Sequence, residues 1–205
     1  MIRVVTKRNR AANTRLLIEM HRQRRAVFVD RLGWRLTVSG GLEIDAYDGP
    51  AALYLLSMMQ ERLLSSARLL PTTQPHLMSA RFAHLCPGGV PRGPGVWEAS
   101  RFCVDPALCD RATRRAQLGR IIAGILELGL ARGLERVTFV AGSALLPLAL
   151  SAGWAARPLG PAHRHGGDWI QAVAARVSQD GLDAVRARHG LDGPVIGPCH
   201  PMAEA

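Results

Sequence analysis

The sequence contains one lysine (Lys7), few aromatic residues (5%) and no long apolar run. No basic run alternates with aromatic residues, so the chain lacks the stacking platform typical of single-stranded nucleic-acid binding. No stretch reaches the roughly 18 uninterrupted apolar residues of a membrane-spanning helix. The first residues also lack the apolar region of a secretory signal. We therefore expect a cytoplasmic protein with no membrane span and no nucleic-acid partner.

The cysteines show no paired spacing of the C-x-x-C kind that metal sites use. His163 and His165 form a close pair, but a metal site needs more ligands at helical or hairpin spacing than this pair offers. We predict no metal, and we interpret the scattered thiols as structural. The cysteines are Cys86, Cys103, Cys109 and Cys199.

The net charge is +10, and nearly all of the positively charged residues are arginines. A surface of this sign attracts acidic partners, such as a phosphorylated cofactor or an acidic carrier protein. The 205 residues are 48% hydrophobic, enough for one globular core. We predict a single domain over 1–193 and a flexible tail over 194–205, since the end of the chain is rich in proline and glycine.

Hydrophobic periodicity predicts alternating elements of both kinds. An antiparallel meander followed by helix, strand, helix and strand is typical of a three-layer α/β sandwich. The helices are predicted over 11–30, 76–85, 109–132, near 143–152 and over 178–189. The strands are predicted over 42–46, 52–58, 62–69, 96–104, 135–141 and near 168–175.

Charged residues interrupt several of the apolar segments. Glu98 and Arg101 lie inside one predicted strand, and Arg68 lies inside another. Burying a charge costs several kcal/mol unless it is paired, so such charges indicate a polar site. Residues three apart in a regular strand point to opposite faces. A bulge near residues 99–100 is therefore predicted, because it would turn Glu98 and Arg101 into one cleft.

These motifs, in this order and spacing, resemble those of the acyl-homoserine lactone synthases, the autoinducer-synthesis family of quorum sensing. The resemblance runs from about residue 15 to 154. The matching motifs are Arg24-x-x-x-Phe28, Leu32-Gly-Trp34, Glu43-x-Asp45-x-x-Asp48, Arg68-Leu-Leu-Pro-Thr72, Phe82 and Glu98-x-Ser100-Arg101-Phe102.

The resemblance implies an α/β fold like that of the GCN5-related N-acetyltransferases, with a mostly antiparallel sheet. In that fold strands 96–104 and 135–141 splay apart, so that a pantetheine arm can enter. It also implies an enzyme whose substrates are S-adenosylmethionine and an acyl thioester, carried by acyl carrier protein or by CoA, with no further cofactor. The amine of S-adenosylmethionine is acylated, and the lactone then closes with loss of methylthioadenosine.

Carried over to this chain, the resemblance gives each charged motif a role. Glu98 is the candidate general base, directly or through water, and the alternative is an ion pair with Arg101. The other predicted catalytic residues would surround the zwitterionic, sulfonium-bearing substrate with charges. The alternative is a structural salt-bridge network that holds the first helix to the sheet. The full catalytic set is Glu98, Arg101, Arg68, Asp45, Asp48 and Arg24.

Aromatic residues complete the predicted pocket for S-adenosylmethionine. Phe28 and Trp34 would form a wall with cation–π attraction to the sulfonium, and the alternative is ordinary helix packing. Phe82, Asp45 and Arg101 complete this set.

Apolar residues behind the cleft are the candidates for selecting the acyl chain, with plain core packing as the alternative. Family members with a hydroxyl just after the fifth strand are linked to 3-oxo chains. The segment 140–143 does not align that hydroxyl clearly, which favours an unsubstituted chain. The predicted pocket comprises Phe102, Val104, Val137, Phe139, Leu145, Leu148 and Trp154.

Arg111, Arg114 and Arg115 share a face of the longest predicted helix, where they would receive an acidic carrier protein or the phosphates of CoA. A solvated arginine face is the alternative. The following Gln117-Leu-Gly-Arg120 does not complete the glycine-rich pyrophosphate loop of CoA acetyltransferases, which modestly favours a carrier protein.

Two other functions stay open on sequence grounds. One is a CoA-dependent N-acyltransferase that acts on a different amine. The other is a non-catalytic protein that binds an acidic partner, which depends only on the net charge.

Overall fold

The computed structural model describes residues 1–108 and 110–197. Within them the strands are β1 (Ile2–Val5), β2 (Val38–Ser39), β3 (Leu42–Glu43), β4 (Leu53–Met59), β5 (Arg62–Pro71), β6 (Val96–Val104), β7 (Arg136–Gly142), β8 (Ala156–Pro158), β9 (His163–His165) and β10 (Asp168–Arg176). The α-helices are α1 (Thr14–Arg24), α2 (Leu77–Arg81), α3 (Arg111–Ala131), α4 (Leu146–Leu150) and α5 (Gln179–His189).

The main sheet has the strand order β1-β4-β5-β6-β7-β10-β8, with β9 beside β10. Neighbours in this order are antiparallel except β6 and β7, which run parallel. These two strands pair only from Val96 to Glu98 against Arg136 to Thr138. Beyond Glu98 they separate, so the predicted splayed pair is confirmed.

Alternation along the strands sends side chains to two apolar layers. Leu53 and Leu55 of β4 belong to the cluster that includes residues of α3 and α5, whereas Tyr54 and Leu56 belong to the cluster that includes Leu17 of α1. A further cluster lies under α2, around Met78. The sheet is thus covered on both faces, which confirms the predicted three-layer α/β sandwich.

The predicted helix over 11–30 divides into three parts. Residues 11–13 form a 3-10 turn, α1 follows, and Arg25–Arg31 form a π-helix. The predicted helix over 76–85 likewise consists of α2 and a 3-10 turn at Ala83–Leu85. Apolar spacing marks a helical segment but does not report which carbonyl each N–H reaches, so these divisions were not predicted.

Part of the predicted tail is packed against the domain. Val195 and Ile196 are buried, and Ile196 bridges Ile2 of β1. The carboxylate of Glu127 in α3 accepts hydrogen bonds from the backbone N–H groups of both residues. Residues 198–205 of the predicted tail lie outside the described residues, as do Cys109 and Cys199; Cys86 and Cys103 are buried free thiols.

Among the described residues, no helix has the length and apolar character needed to cross a membrane.

Candidate active site

Two buried arginines bind the acidic loop that follows β3. Arg24 of α1 contacts Glu43 and also donates two hydrogen bonds to Asp48, at 2.7 and 2.9 Å. Arg68 of β5 donates to both Asp45 and Asp48. Both arginines are at most 1% exposed, so the fold surrounds these charges with partners instead of water.

The third arginine reaches this group because β6 contains a bulge. Arg68 pairs with Ser100 and Ser66 pairs with Cys103, so two residues of β6 oppose one residue of β5. The predicted bulge is therefore confirmed, but it lies at residues 101–102 and not at 99–100. Arg101 adopts a φ of +54°, in the left-handed region, at a cost of about 1–2 kcal/mol for a residue with a Cβ.

The bulge directs Arg101 toward the acidic loop. Its Nη2 lies 3.1 Å from Glu43 Oε1 and 2.8 Å from Asp45 Oδ2. Glu43 thereby bridges Arg101 and Arg24. Three guanidinium groups now face three carboxylates, so we call Arg24, Arg68, Arg101, Glu43, Asp45 and Asp48 the charge network.

The network keeps the carboxylate of Asp48 ionised. Burial alone would raise the pKa of Asp48, but the hydrogen bonds and charges of Arg24 and Arg68 hold that pKa well below its usual range. Tyr54 donates to Asp48 Oδ1 at 2.9 Å. Of the three carboxylates, Asp45 is the most exposed, at 17%. Asp45 is thus the acid of the network that a ligand can reach.

Glu98 lies beside the charge network but has hydrogen-bond partners of its own. Its carboxylate accepts hydrogen bonds from the backbone N–H groups of Leu77 and Met78, at 2.8 and 2.7 Å, in the first turn of α2. Within the described part of the chain it forms no ion pair with Arg101, so that alternative reading is not observed. Burial raises the pKa of Glu98 to about 7, although the two hydrogen bonds and the charges of Arg68 and Arg101 pull it down.

Glu98 is also the last residue of β6 that pairs with β7 before the two strands separate. It lies opposite Thr138 at the fork of the splay. The arrangement therefore places a buried carboxyl that titrates near neutral pH where the sheet opens. Such a group can accept and return a proton.

An aromatic pair borders the charge network. Phe28 and Trp34 stack with ring centroids 5.0 Å apart and an interplanar angle of 16°. The guanidinium of Arg101 lies over Phe28. Phe28 is buried, whereas Trp34 is 48% exposed. The exposed indole leaves an aromatic surface for a ligand beside Arg101.

Phe82 does not pack with Phe28 or Trp34. It packs against the cluster under α2, and its ring contacts are with His84 and His165. Among the residues that the structure describes, no ring contact, ion pair or hydrogen bond joins Phe82 to the charge network, so its predicted place in the pocket stays a prediction.

Most of the predicted acyl-chain residues lie together, on the face of the sheet that α3 covers. Phe139 and Trp154 stack with centroids 5.5 Å apart. Val104 is the exception: it pairs with Ser65 and is not part of this cluster. The residues within or against the cluster are Val137, Phe139, Trp154, Phe102, Leu145 and Leu148.

The three predicted docking arginines differ in their surroundings. Arg111 and Arg115 are exposed at the start of α3. Arg114 is half-buried, and its Nε donates to the carbonyl of Leu108 at 2.9 Å. Two of the three are therefore free to meet an anion, and the docking role stays a prediction.

Glu43 was not among the predicted site residues, although it is the first residue of the motif that contains Asp45 and Asp48. The structure shows it fully buried between two arginines. The sequence did contain a signal for Glu43, because a carboxylate next to an apolar residue in a short strand indicates a buried, paired charge. His21 was also missed; its Nδ1 lies 2.8 Å from the carbonyl oxygen of Glu43.

Comparison with known proteins identifies related chains along nearly the whole sequence. Residues 7–185 match the family model described as Autoinducer synthase. An isovaleryl-homoserine lactone synthase of Bradyrhizobium diazoefficiens is 31% identical over 202 residues, which cover 95% of this chain and 90% of that protein.

Solved structures agree with this result. The CoA-dependent acyl-homoserine lactone synthase BjaI, with SAM and isopentyl-CoA, superposes with a TM-score of 0.87 at 30% identity, covering 96% of this chain and 92% of that one. The CoA-dependent synthase MesI gives 0.86 at 29% identity, covering 97% and 100%. A structure assigned as an N-acetyltransferase from Lactobacillus plantarum gives 0.56 at 16% identity, covering 86% and 99%, which supports the fold alone.

Proposed function

Because the chain belongs to the autoinducer synthase family, and is therefore an acyltransferase, we propose that it makes an acyl-homoserine lactone from S-adenosylmethionine and an acyl thioester. The α-amine, after losing a proton, attacks the thioester carbonyl, and the thiol leaves. The methionyl carboxylate then attacks its own γ-carbon, the bond from that carbon to the sulfonium breaks, and methylthioadenosine leaves. The observation that carries the proposal is the position of Glu98 at the fork of the splay, beside the charge network.

The charge balance of the site suits S-adenosylmethionine. The charge network is neutral as a whole, so ionised Glu98 gives the pocket one net negative charge. The substrate carries a sulfonium, an ammonium and a carboxylate, which leave one net positive charge. Trp34 offers the sulfonium an aromatic face, and Asp45 can accept a hydrogen bond from the ammonium. The structural neighbour BjaI is described with SAM.

Glu98 is the proposed general base. A carboxyl with a pKa near 7 is half ionised at neutral pH and can take a proton from an ammonium group without holding it permanently. The hydrogen bonds from Leu77 and Met78 fix its orientation. Direct transfer and transfer through one water both fit this geometry.

We propose acyl-CoA as the donor. The neighbours BjaI and MesI are both described as CoA-dependent. Residues 117–120 do not complete the glycine-rich pyrophosphate loop of CoA acetyltransferases, which favours a carrier protein instead. The two donors must therefore be compared directly. In either case the pantetheine arm would enter between β6 and β7, where backbone groups beyond the last pair can bond its amides.

The acyl chain is proposed to be short and without a 3-oxo group. The Ser143 hydroxyl donates to Asp168 Oδ1 at an exposed position, so it is engaged away from the apolar cluster. The stacked rings of Phe139 and Trp154 occupy space that a long chain would need. A short branched chain also agrees with the name of the isovaleryl relative.

The direct test supplies purified protein with S-adenosylmethionine and matched acyl-CoA and acyl-carrier-protein donors. Mass spectrometry and chromatography then measure acyl-homoserine lactone and methylthioadenosine. The proposal expects both products in equal amounts. Free thiol without methylthioadenosine would point to acylation of a different amine, and no turnover with any donor would refute both.

A further inference from the structure

A recess lies at the edge of the main sheet where β7 begins and β10 ends. It is open to solvent, has a volume of about 600 Å³ and is lined by Arg136, Arg157 and Arg176, with Ala174 among the residues at its surface. The recess is at the closed end of the β6–β7 pair, since Arg136 lies opposite Val96, the first residue of β6. It is therefore separate from the fork at Glu98.

Strand register puts the three arginines on one face. Arg136 of β7 lies directly opposite Arg176 of β10, and Arg157 of β8 lies opposite Ala174. Ala174 and Arg176 are two apart in β10, so they point to the same side of the sheet. The short side chain of Ala174 leaves the space into which three guanidinium groups can converge.

These charges have no counter-ion of their own. Within the described chain, none of the three arginines takes part in an ion pair or a side-chain hydrogen bond, and all three are exposed. Glu135 also lines the recess, but its side chain extends toward Gly95. Like charges directly opposite each other across two strands destabilise the sheet. An unrelieved Arg136–Arg176 pair therefore needs an anion more than an isolated surface arginine does.

We infer that this recess binds a phosphorylated small molecule through its phosphoryl group. Guanidinium groups match phosphate oxygens with paired N–H donors, and three of them can surround a dianion or a pyrophosphate. No aromatic residue lines the recess, so the phosphoryl group and not a stacked base carries the recognition. The inference does not depend on the proposed synthase reaction.

The test titrates the full chain at low, constant ionic strength with inorganic phosphate, pyrophosphate and ADP, followed by calorimetry and thermal melting. We expect saturable binding of one pyrophosphate per chain. The double variant Arg136→Gln/Arg176→Gln should bind it at least tenfold more weakly. Without ligand this variant should melt at a higher temperature than the parent, because the opposed charges are gone. Equal affinity for pyrophosphate and ADP would support recognition through the phosphoryl group alone, whereas much tighter binding of ADP would contradict it.

A matched control removes the same charge elsewhere. Arg22 and Arg188 are exposed and lie on separate helices, so Arg22→Gln/Arg188→Gln has the same net charge as the test variant. This control should keep pyrophosphate affinity within twofold of the parent. If both double variants lose affinity equally, the binding is diffuse attraction and the inference is wrong. It is also wrong if no probe binds saturably, or if the test variant keeps full affinity. Lactone synthesis, measured without phosphate, reports separately on the proposed function.

Discussion

The guanidinium carbon of Arg101 lies 5.7 Å from the ring centroid of Phe28. This contact joins the charge network to the aromatic pair, because the same arginine binds Glu43 and Asp45. The left-handed backbone at Arg101 is what brings the two together. Charge and aromatic surface thus meet at one residue, beside the exposed ring of Trp34.

Trp34→Ala should weaken binding of S-adenosylmethionine. Loss of one cation–π contact of about 0.5–2 kcal/mol predicts a KM for S-adenosylmethionine that rises roughly 2- to 30-fold. The KM for the acyl donor should change little, and steady-state kinetics with each substrate varied will separate the two effects. Trp169→Ala is the control, since Trp169 is similarly exposed, at 53%, on β10. Equal changes in both variants would contradict the assignment.

Glu98→Gln should lower kcat by about 10²- to 10⁴-fold while the protein stays folded, as expected when a general base is removed. In the parent, kcat/KM should fall as the pH drops below about 7, because the carboxylate is the active form. Single-turnover rates from pH 5.5 to 9 will measure both effects. Glu61→Gln, at an exposed turn, should keep the parent rate. A parent profile with no limb near pH 7 would exclude Glu98 as the base.

Glu98→Gln should also change how the stability of the fold depends on pH. The folded pKa of Glu98 lies above its ordinary value of 4.5, so the native state binds more protons between that value and about 7. Stability supported by this group is therefore present at low pH and lost as the pH rises through about 7, by up to about 3 kcal/mol. Urea unfolding at several pH values should show this slope in the parent and a flatter one in Glu98→Gln.

Asp48→Asn should destabilise the fold strongly at neutral pH. It leaves Arg24 and Arg68 buried with one carboxylate fewer, and breaking a buried pair typically costs about 3–5 kcal/mol. The pKa of Asp48 is held low in the folded protein. Its carboxylate therefore contributes fully to stability at a pH above the ordinary pKa of an aspartate, and this contribution is lost as the pH falls toward the folded pKa. The difference between parent and variant should therefore shrink in acid. Asp183→Asn, at an exposed position of α5, should change stability by less than about 1 kcal/mol.

Phe139→Leu should shift the acyl preference toward longer chains. Removing one ring of the Phe139–Trp154 stack opens space worth one or more methylenes, each of which changes discrimination by about 1–3 kcal/mol. The ratio of kcat/KM for octanoyl-CoA over isovaleryl-CoA should rise at least tenfold in competition assays. Phe82→Leu is the control, because Phe82 packs against the cluster under α2. An unchanged ratio would place the acyl chain elsewhere.

The sequence predicted the layers and the need for a bulge because each follows from a simple rule, whereas the splay was implied by the family resemblance. Residues three apart in a strand must face opposite ways, so placing Glu98 and Arg101 in one cleft required an extra residue. The exact position of that residue depends on which pairs of β5 and β6 form hydrogen bonds. Register is a tertiary property, and the prediction was therefore displaced by about two residues.

Other elements gave too little local signal. β1 has four residues, and its place at the sheet edge depends on pairing with β4, about fifty residues away in the sequence. The three-residue strands β8 and β9 are likewise defined by β10. Glu43 was missed for a related reason, since its two arginine partners lie 19 and 58 residues away in the sequence.

The π-helix at Arg25–Arg31 makes the number of residues there more important than their identity. Its wider turns let the N–H of Leu32 reach the carbonyl of Val27, and that of Trp34 reach the carbonyl of Phe28. Deleting one residue from this stretch would restore the tighter winding of α1 and rotate everything that follows by about 100°. Trp34 would then leave the ring of Phe28, although every side chain of the site was still present. Natural variation in this segment should therefore proceed by substitution, and insertions or deletions should be strongly selected against.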